Sequence, residues 1–166
     1  MGAASPVGSG AAAVGLSARL GAAQEVPKPV RVPAAAGGAF SGRLVRQGAG
    51  GTLSWRLTFR GLSGQAVAAH IHRAQPGRPG PVAVALCGPC RSGATGTAKV
   101  TARTIAALLG GGAYVNVHTK RNAGGEIRGQ IARTAKPPAP PPTSSTGTTS
   151  TTGTTETVTT TYAVGP

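Results

Sequence analysis

The 166-residue chain has three histidines, and two short segments hold all of them. Ala68-Ala69-His70-Ile71-His72 carries two, and Tyr114-Val115-Asn116-Val117-His118-Thr119 carries the third. Each segment alternates polar with apolar residues, the pattern of a half-buried strand. Side chains two apart on a strand share a face, so His70 and His72 point the same way with Cα atoms about 6.6 Å apart. Ile71, Val115 and Val117 take the core face, which leaves Tyr114, Asn116 and His118 on the other. The chemistry open to this set is transition-metal ligation. Neutral imidazoles suit copper and zinc alike, and a His-x-His pair joined by a third histidine from a neighbouring strand leaves one position open. The competing reading is a hydrogen-bonded histidine cluster that stabilises a loop.

Two further groups carry chemistry. Cys87-Gly88-Pro89-Cys90 spells a redox dithiol, but such a motif works when the first cysteine caps a helix N-terminus. Here Arg91-Ser92-Gly93-Ala94-Thr95-Gly96 follows, and no helix can start, so a structural disulfide is expected. Glu126 and Arg128 share the outward side of a late strand. An ion pair between them is the plain expectation. The alternative has Asn116, Glu126 and Arg128 form a second layer behind the histidines, fixing their N–H groups.

The elements that must position these residues read as short strands. Leu16–Leu20 alternates, and residues 24–33 are extended and proline-broken. Phe40–Val45 is a strand, and Gly48–Gly51 a turn. Thr52–Arg60 gives the clearest alternation, with Leu53, Trp55, Leu57 and Phe59 assigned to the core. Gly61–Gly64 is a loop before the histidine strand. Val82–Leu86 reads as a buried strand ending at Cys87, and Gly96 starts another. Ile105, Leu108 and Leu109 recur at helical spacing between threonine caps and Gly110, so one short helix is expected there. Ala113–Thr119 and a single strand over 125–133 close the domain, the latter with Ile127, Gly129 and Ile131 inward. About eight strands with turn punctuation predict an all-β fold, a Greek-key sandwich or barrel with one short helix.

Composition narrows the functions. The chain has no Asp and only three acids, Glu25, Glu126 and Glu156, against 17 Lys and Arg. That removes paired-carboxylate catalysis and oxygen-rich calcium cages. A net charge of +14 attracts polyanions. The plain reading is a solvated, Arg-rich surface; among partners, acidic polysaccharide or another extracellular or cell-wall polymer ranks ahead of nucleic acid, because no aromatic is interleaved with the arginines. No run of 18 apolar residues could span a membrane. Residues 1–15 are expected to be a flexible segment, 16–134 the domain, and 135–166 a Pro/Thr/Ser-rich disordered tail or stalk of the kind that carries O-glycans. Such a tail points to an extracellular or cell-surface protein.

Gln24-Glu25-Val26-Pro27, Ala69-His70-Ile71-His72, Gly80-Pro81-Val82, Tyr114 to Thr119, and Gly124-Gly125-Glu126-Ile127-Arg128-Gly129-Gln130-Ile131 occur in that order. Together they resemble the CHRD domain, a module named for chordin, over about Leu16 to Ile131. The resemblance implies an extracellular module and leaves its ligand open. Leu57 to His72 and Val117-His118 are also similar to the copper-binding strands of Cu/Zn superoxide dismutases, whose copper histidines lie outside a Greek-key barrel. That second resemblance implies copper ligation by His70, His72 and His118. It departs from those enzymes in having no bridging histidine and no Asp for zinc. The preferred reading is a non-catalytic extracellular binding module; the alternative is a copper-binding, dismutase-like protein.

Overall fold

A computed structural model describes residues 12–138. Most of the expected N-terminal segment and tail therefore lies outside the described residues. Nine strands and one helix follow in order: β1 (Ala13–Gly21), β2 (Gly37–Gln47), β3 (Gly50–Arg60), β4 (Ala66–Arg73), β5 (Val82–Cys87), β6 (Ala94–Val100), α1 (Ala102–Leu109), β7 (Ala113–Thr119), β8 (Ile127–Gln130) and β9 (Ala132–Thr134). All pairings are antiparallel. Hydrogen-bonded neighbours run β5-β4-β7-β8-β1-β2-β3-β6, with β9 also pairing with β1. The sheet curls into a nearly closed barrel in which β5 approaches β6. The connection through α1 returns β7 to the side of β4, across the β4, β5 and β6 succession, which is the Greek-key crossover.

The seam between β5 and β6 is joined by the loop between them. Cys87 and Cys90 form a disulfide. The Cys90 N–H donates to Ala66 O at the start of β4, and the Gly93 N–H donates to Leu57 O on β3. The loop thus bonds to both flanking strands where β5 and β6 do not pair directly.

Alternation decides the core. Leu16, Phe40, Leu44, Leu53, Leu57, Ile71, Val115, Val117, Ile127 and Ile131 are all buried. Trp55 sits opposite Gly42 on one side and Gly96 on the other. A Cβ on Gly96 would come within 2.6 Å of the indole, so only glycine leaves room for the ring. The helix closes one end of the barrel. Thr101 Oγ1 accepts the Thr104 N–H at its start, and Ile105 and Leu108 are buried beneath it.

Three expectations change. Phe59, assigned to the core, is only half-buried because it lies near the end of β3. The strand over residues 82–86 is an edge: Val82 is exposed and Val84 alone is buried. The single strand over 125–133 is two, β8 and β9, broken at Ile131, whose N–H turns to Ala113 O on β7 while β9 moves to β1. Replacing Trp55 with Ala should cost on the order of 3–5 kcal/mol by leaving a cavity. Gly96→Ala should also destabilise, because the methyl group meets the rigid indole. Urea unfolding of both variants measures this, and wild-type midpoints would refute the assigned packing.

Candidate functional site

β4 and β7 are neighbours, and their register sets Ala68 opposite His118, His70 opposite Asn116 and His72 opposite Tyr114. His70 and His118 are therefore diagonal neighbours on the outer face. His70 Nδ1 lies 3.1 Å from His118 Nε2. One nitrogen from each of His70, His72 and His118 falls within 4.8 Å of the others. The alternation put these three on one side of their strands, and the fold brings them together.

Two backbone carbonyls set the tautomers. His118 Nδ1 lies 2.9 Å from Ala123 O, and His72 Nδ1 lies 2.8 Å from Gly80 O. A carbonyl only accepts, so each Nδ1 carries the proton and each Nε2 keeps its lone pair. His72 Nε2 is buried without a hydrogen-bond partner. With its lone pair on Nε2, His118 accepts from His70 Nδ1, and the unpartnered His72 Nε2 lone pair faces the same small volume. Burial, then the neighbouring His118 and His72 imidazoles, hold His70 below the usual histidine range. Burial also lowers His118, against the opposing effect of the Ala123 carbonyl. His70 and His118 are thereby shifted toward the neutral imidazole, the form that ligates metals.

The outer face of β7 is not open to solvent: Tyr114, Asn116 and His118 are all buried. The loop after β7 folds over it, and the segment near Val30 is tied to that loop by two bonds to the Asn122 amide. Glu126 and Arg128, expected on an outward face, are also fully buried.

The expected Glu126–Arg128 ion pair is replaced by separate roles. The Glu126 carboxylate accepts from the Ser63 N–H and hydroxyl, each at 2.5 Å, from Thr119 Oγ1 at 2.6 Å and from Asn122 Nδ2 at 3.0 Å. Burial alone would raise its pKa, but the hydrogen bonds from Ser63, Thr119 and Asn122 together hold it below the usual glutamate range. These bonds fix the β7–β8 loop, and the loop presents Ala123 O to His118. Glu126 reaches the cluster through that loop, not by touching a histidine.

Arg128 stacks its guanidinium 3.4 Å from the centre of the Tyr114 ring. Tyr114 also stacks on His72, with centroids 4.9 Å apart and planes 6° from parallel. The Tyr114 hydroxyl accepts from the Gly80 N–H at 3.3 Å. Tyr114 therefore holds both the His72 ring and the turn whose carbonyl orients it. Asn116 faces Glu25 instead of a histidine. Glu25 is buried, and burial raises its pKa despite the Val26 N–H, the Arg128 charge and the Asn116 amide. Gly125, at φ +131°, lets the chain pass against that carboxylate; a Cβ there would collide with Glu25 Oε2.

Gly80 O, Ala123 O, Tyr114, Ser63 and Asn122 were not singled out from the sequence as site residues. Backbone carbonyls leave no residue-type signal. The glycine-rich turns at Gly80-Pro81 and Gly124-Gly125, which bring them into place, do.

An antiparallel Greek-key barrel with three converging imidazoles on its loop-covered outer face defines a small β-barrel module with a built histidine cluster. Residues 16–131 match the CHRD domain, and the chain belongs to that family. No curated protein and no solved structure matches the chain.

Because folding holds His70 and His118 neutral, the unfolded chain takes up protons below pH about 6.5 that the folded domain refuses. Stability should therefore be full above that pH and fall as pH drops from there toward the lowered folded values. Urea midpoints from pH 7.5 down to 5 measure the slope, which should shrink in His118→Gln. Glu126→Ala should cost about 3 kcal/mol or more by leaving buried donors unpaired. A neutral effect would refute the loop-locking role.

Proposed function

We propose that this CHRD domain is a non-catalytic, extracellular-type module that binds a transition-metal ion through His70 Nδ1, His72 Nε2 and His118 Nε2. The observation that carries the reading is the buried, unpartnered His72 Nε2 beside the paired His70 Nδ1 and His118 Nε2, whose shared proton a metal would displace. An orphaned buried nitrogen costs about 1–3 kcal/mol unless something satisfies it. An ion at about 2.0–2.1 Å from each ligand does so. The three nitrogens need close by only a side-chain adjustment to reach that spacing, since they already lie within 4.8 Å of one another.

Copper is the preferred ion, because imidazole sites follow an affinity order that peaks at Cu(II), with zinc below it. The carbonyls of Gly80 and Ala123 act as the usual partners of ligating histidines, fixing ring orientation and raising basicity. The extracellular-type assignment draws on family membership and on the Cys87–Cys90 disulfide, which persists in oxidising compartments. Among the described residues no helix is long and apolar enough to cross a membrane.

Calorimetric titration of the metal-free protein with Cu(II), repeated on His72→Ala and His118→Ala, tests the site. Each variant should lose at least tenfold in affinity, and binding to the wild type should weaken as pH falls and the imidazoles protonate. Equal affinity in all three proteins would sink the proposal and leave a structural histidine cluster.

A further inference from the structure

The outer surface of the barrel has two halves of different character. Over β4, β7 and β8 most outward side chains are buried or half-buried under loops. Over β1, β2, β3 and β6 they are exposed or half-exposed. On this second half Arg19, Arg43, Arg56, Arg60 and Lys99 all lie on the side opposite the core residues Leu16, Phe40 and Leu53, by strand alternation. Arg43 is opposite Ser54 and Arg56 opposite Ser41, so the two arginines are diagonal neighbours, about 7–8 Å apart. Hydroxyl side chains fill the positions between them, including Thr58 and, on β6, Thr97.

Nothing acidic offsets this charge. Among the described residues the only acids are Glu25 and Glu126, and both are buried. At one end of the face, between Arg19 and Arg60, lies a shallow depression of about 560 Å³ that also includes Ser17, Gly37, Ala39 and Thr58. Its small residues leave two guanidiniums to flank an open, uncharged space. Guanidinium is the side chain suited to binding carboxylate or sulfate in a two-pronged fashion.

We propose that this face binds an acidic polysaccharide, with one carboxylate or sulfate seated between Arg19 and Arg60 and the chain running across β2 and β3 toward Lys99. Charge complementarity selects an anionic polymer. The serines and threonines among the cations match sugar hydroxyls, and the extended, uncovered sheet accommodates a linear chain. Aromatic stacking, the usual grip on single-stranded nucleic acid, is missing from this surface. Phe40, Trp55 and Tyr114 are buried, and the half-buried Phe59 alternates toward the core side. The surface is separate from the histidine cluster and does not rest on metal binding.

The test uses the full chain and polygalacturonate as probe, with dextran sulfate as the sulfated arm and neutral dextran as the uncharged control. Arg19→Ala/Arg60→Ala should weaken polygalacturonate binding about tenfold, since two surface charges stop engaging the polymer together. Arg56→Ala/Lys99→Ala, on the same face, should weaken it by a similar factor. Arg78→Ala/Arg121→Ala removes as much charge from exposed positions elsewhere and should change affinity less than about twofold. His72→Ala should retain wild-type affinity, which separates this surface from the metal reading. Whether the carboxylated or the sulfated polymer binds more tightly assigns the anion. Equal losses in all three arginine or lysine doubles would overturn the proposal in favour of diffuse attraction. Tighter binding to duplex DNA than to either polysaccharide, lost in the same two face variants, would overturn it in favour of nucleic acid.

Discussion

The buried carboxylate of Glu126 is the constraint on which the histidine cluster depends. A lone charge under a loop is costly unless every lone pair finds a donor. Ser63 before β4, and Thr119 and Asn122 at the end of β7 and in the loop after it, supply those donors. Satisfying the charge therefore fixes where the β7–β8 loop lies. That loop carries Ala123, whose carbonyl selects the His118 tautomer. It also carries Asn122, whose amide clasps the backbone of Val30 and draws the segment after β1 over the site. One acid thereby sets a tautomer, a loop and a covering segment without touching a histidine.

Charge is sorted by depth. Both acids of the described chain are inside, and nearly all the cations are outside, Arg128 being the buried exception. The arrangement explains why the cluster relies on neutral imidazoles. A carboxylate ligand would draw a cation through the positive surface more strongly, but it would add another buried charge needing donors. Imidazoles avoid that cost, and in the proposed site they would ligate a metal with strong nitrogen affinity. Arg128 is kept from the cluster by Tyr114. Its guanidinium is engaged by the face of the phenol ring and by Gln75 O, while the same ring stacks on His72.

Much of this was legible in the sequence, for a definite reason. Alternation with period two separates the two faces of a strand, so the buried positions of β3 and β7 and the shared side of the three histidines follow directly. The same period says nothing about what lies over the second face. Asn116, Glu126 and Arg128 face away from the barrel interior, as the pattern requires, yet all three are buried because loops cover them. The ion pair read for Glu126 and Arg128 assumed two exposed neighbours on a sheet. Glu126 precedes β8 and points into the loop instead, while Arg128 pairs in register with Asn116. Edge position is equally invisible to periodicity: residues 82–86 look apolar enough to be buried, but β5 ends the sheet and exposes Val82.

The seam shows how an open sheet can behave as a barrel. β5 and β6 are its two edges, and unpaired edges invite pairing with other chains. The Cys87–Cys90 link spans only three positions, so constraining so short a loop restricts the unfolded chain less than a long-range bridge would. Its effect is local. It holds the turn in which the Cys90 N–H meets Ala66 O, while further along the same loop the Gly93 N–H meets Leu57 O and Ser92 Oγ takes the Phe59 N–H. These bonds satisfy groups on β3 and β4 beside the gap that direct β5–β6 pairing would otherwise have closed. Fixing the start of β4 also fixes the strand that carries His70 and His72. The disulfide loop at the seam and Glu126 beneath the β7–β8 loop therefore hold two sides of one arrangement. The strand is fixed at the seam, and the rings are oriented by the loops above them.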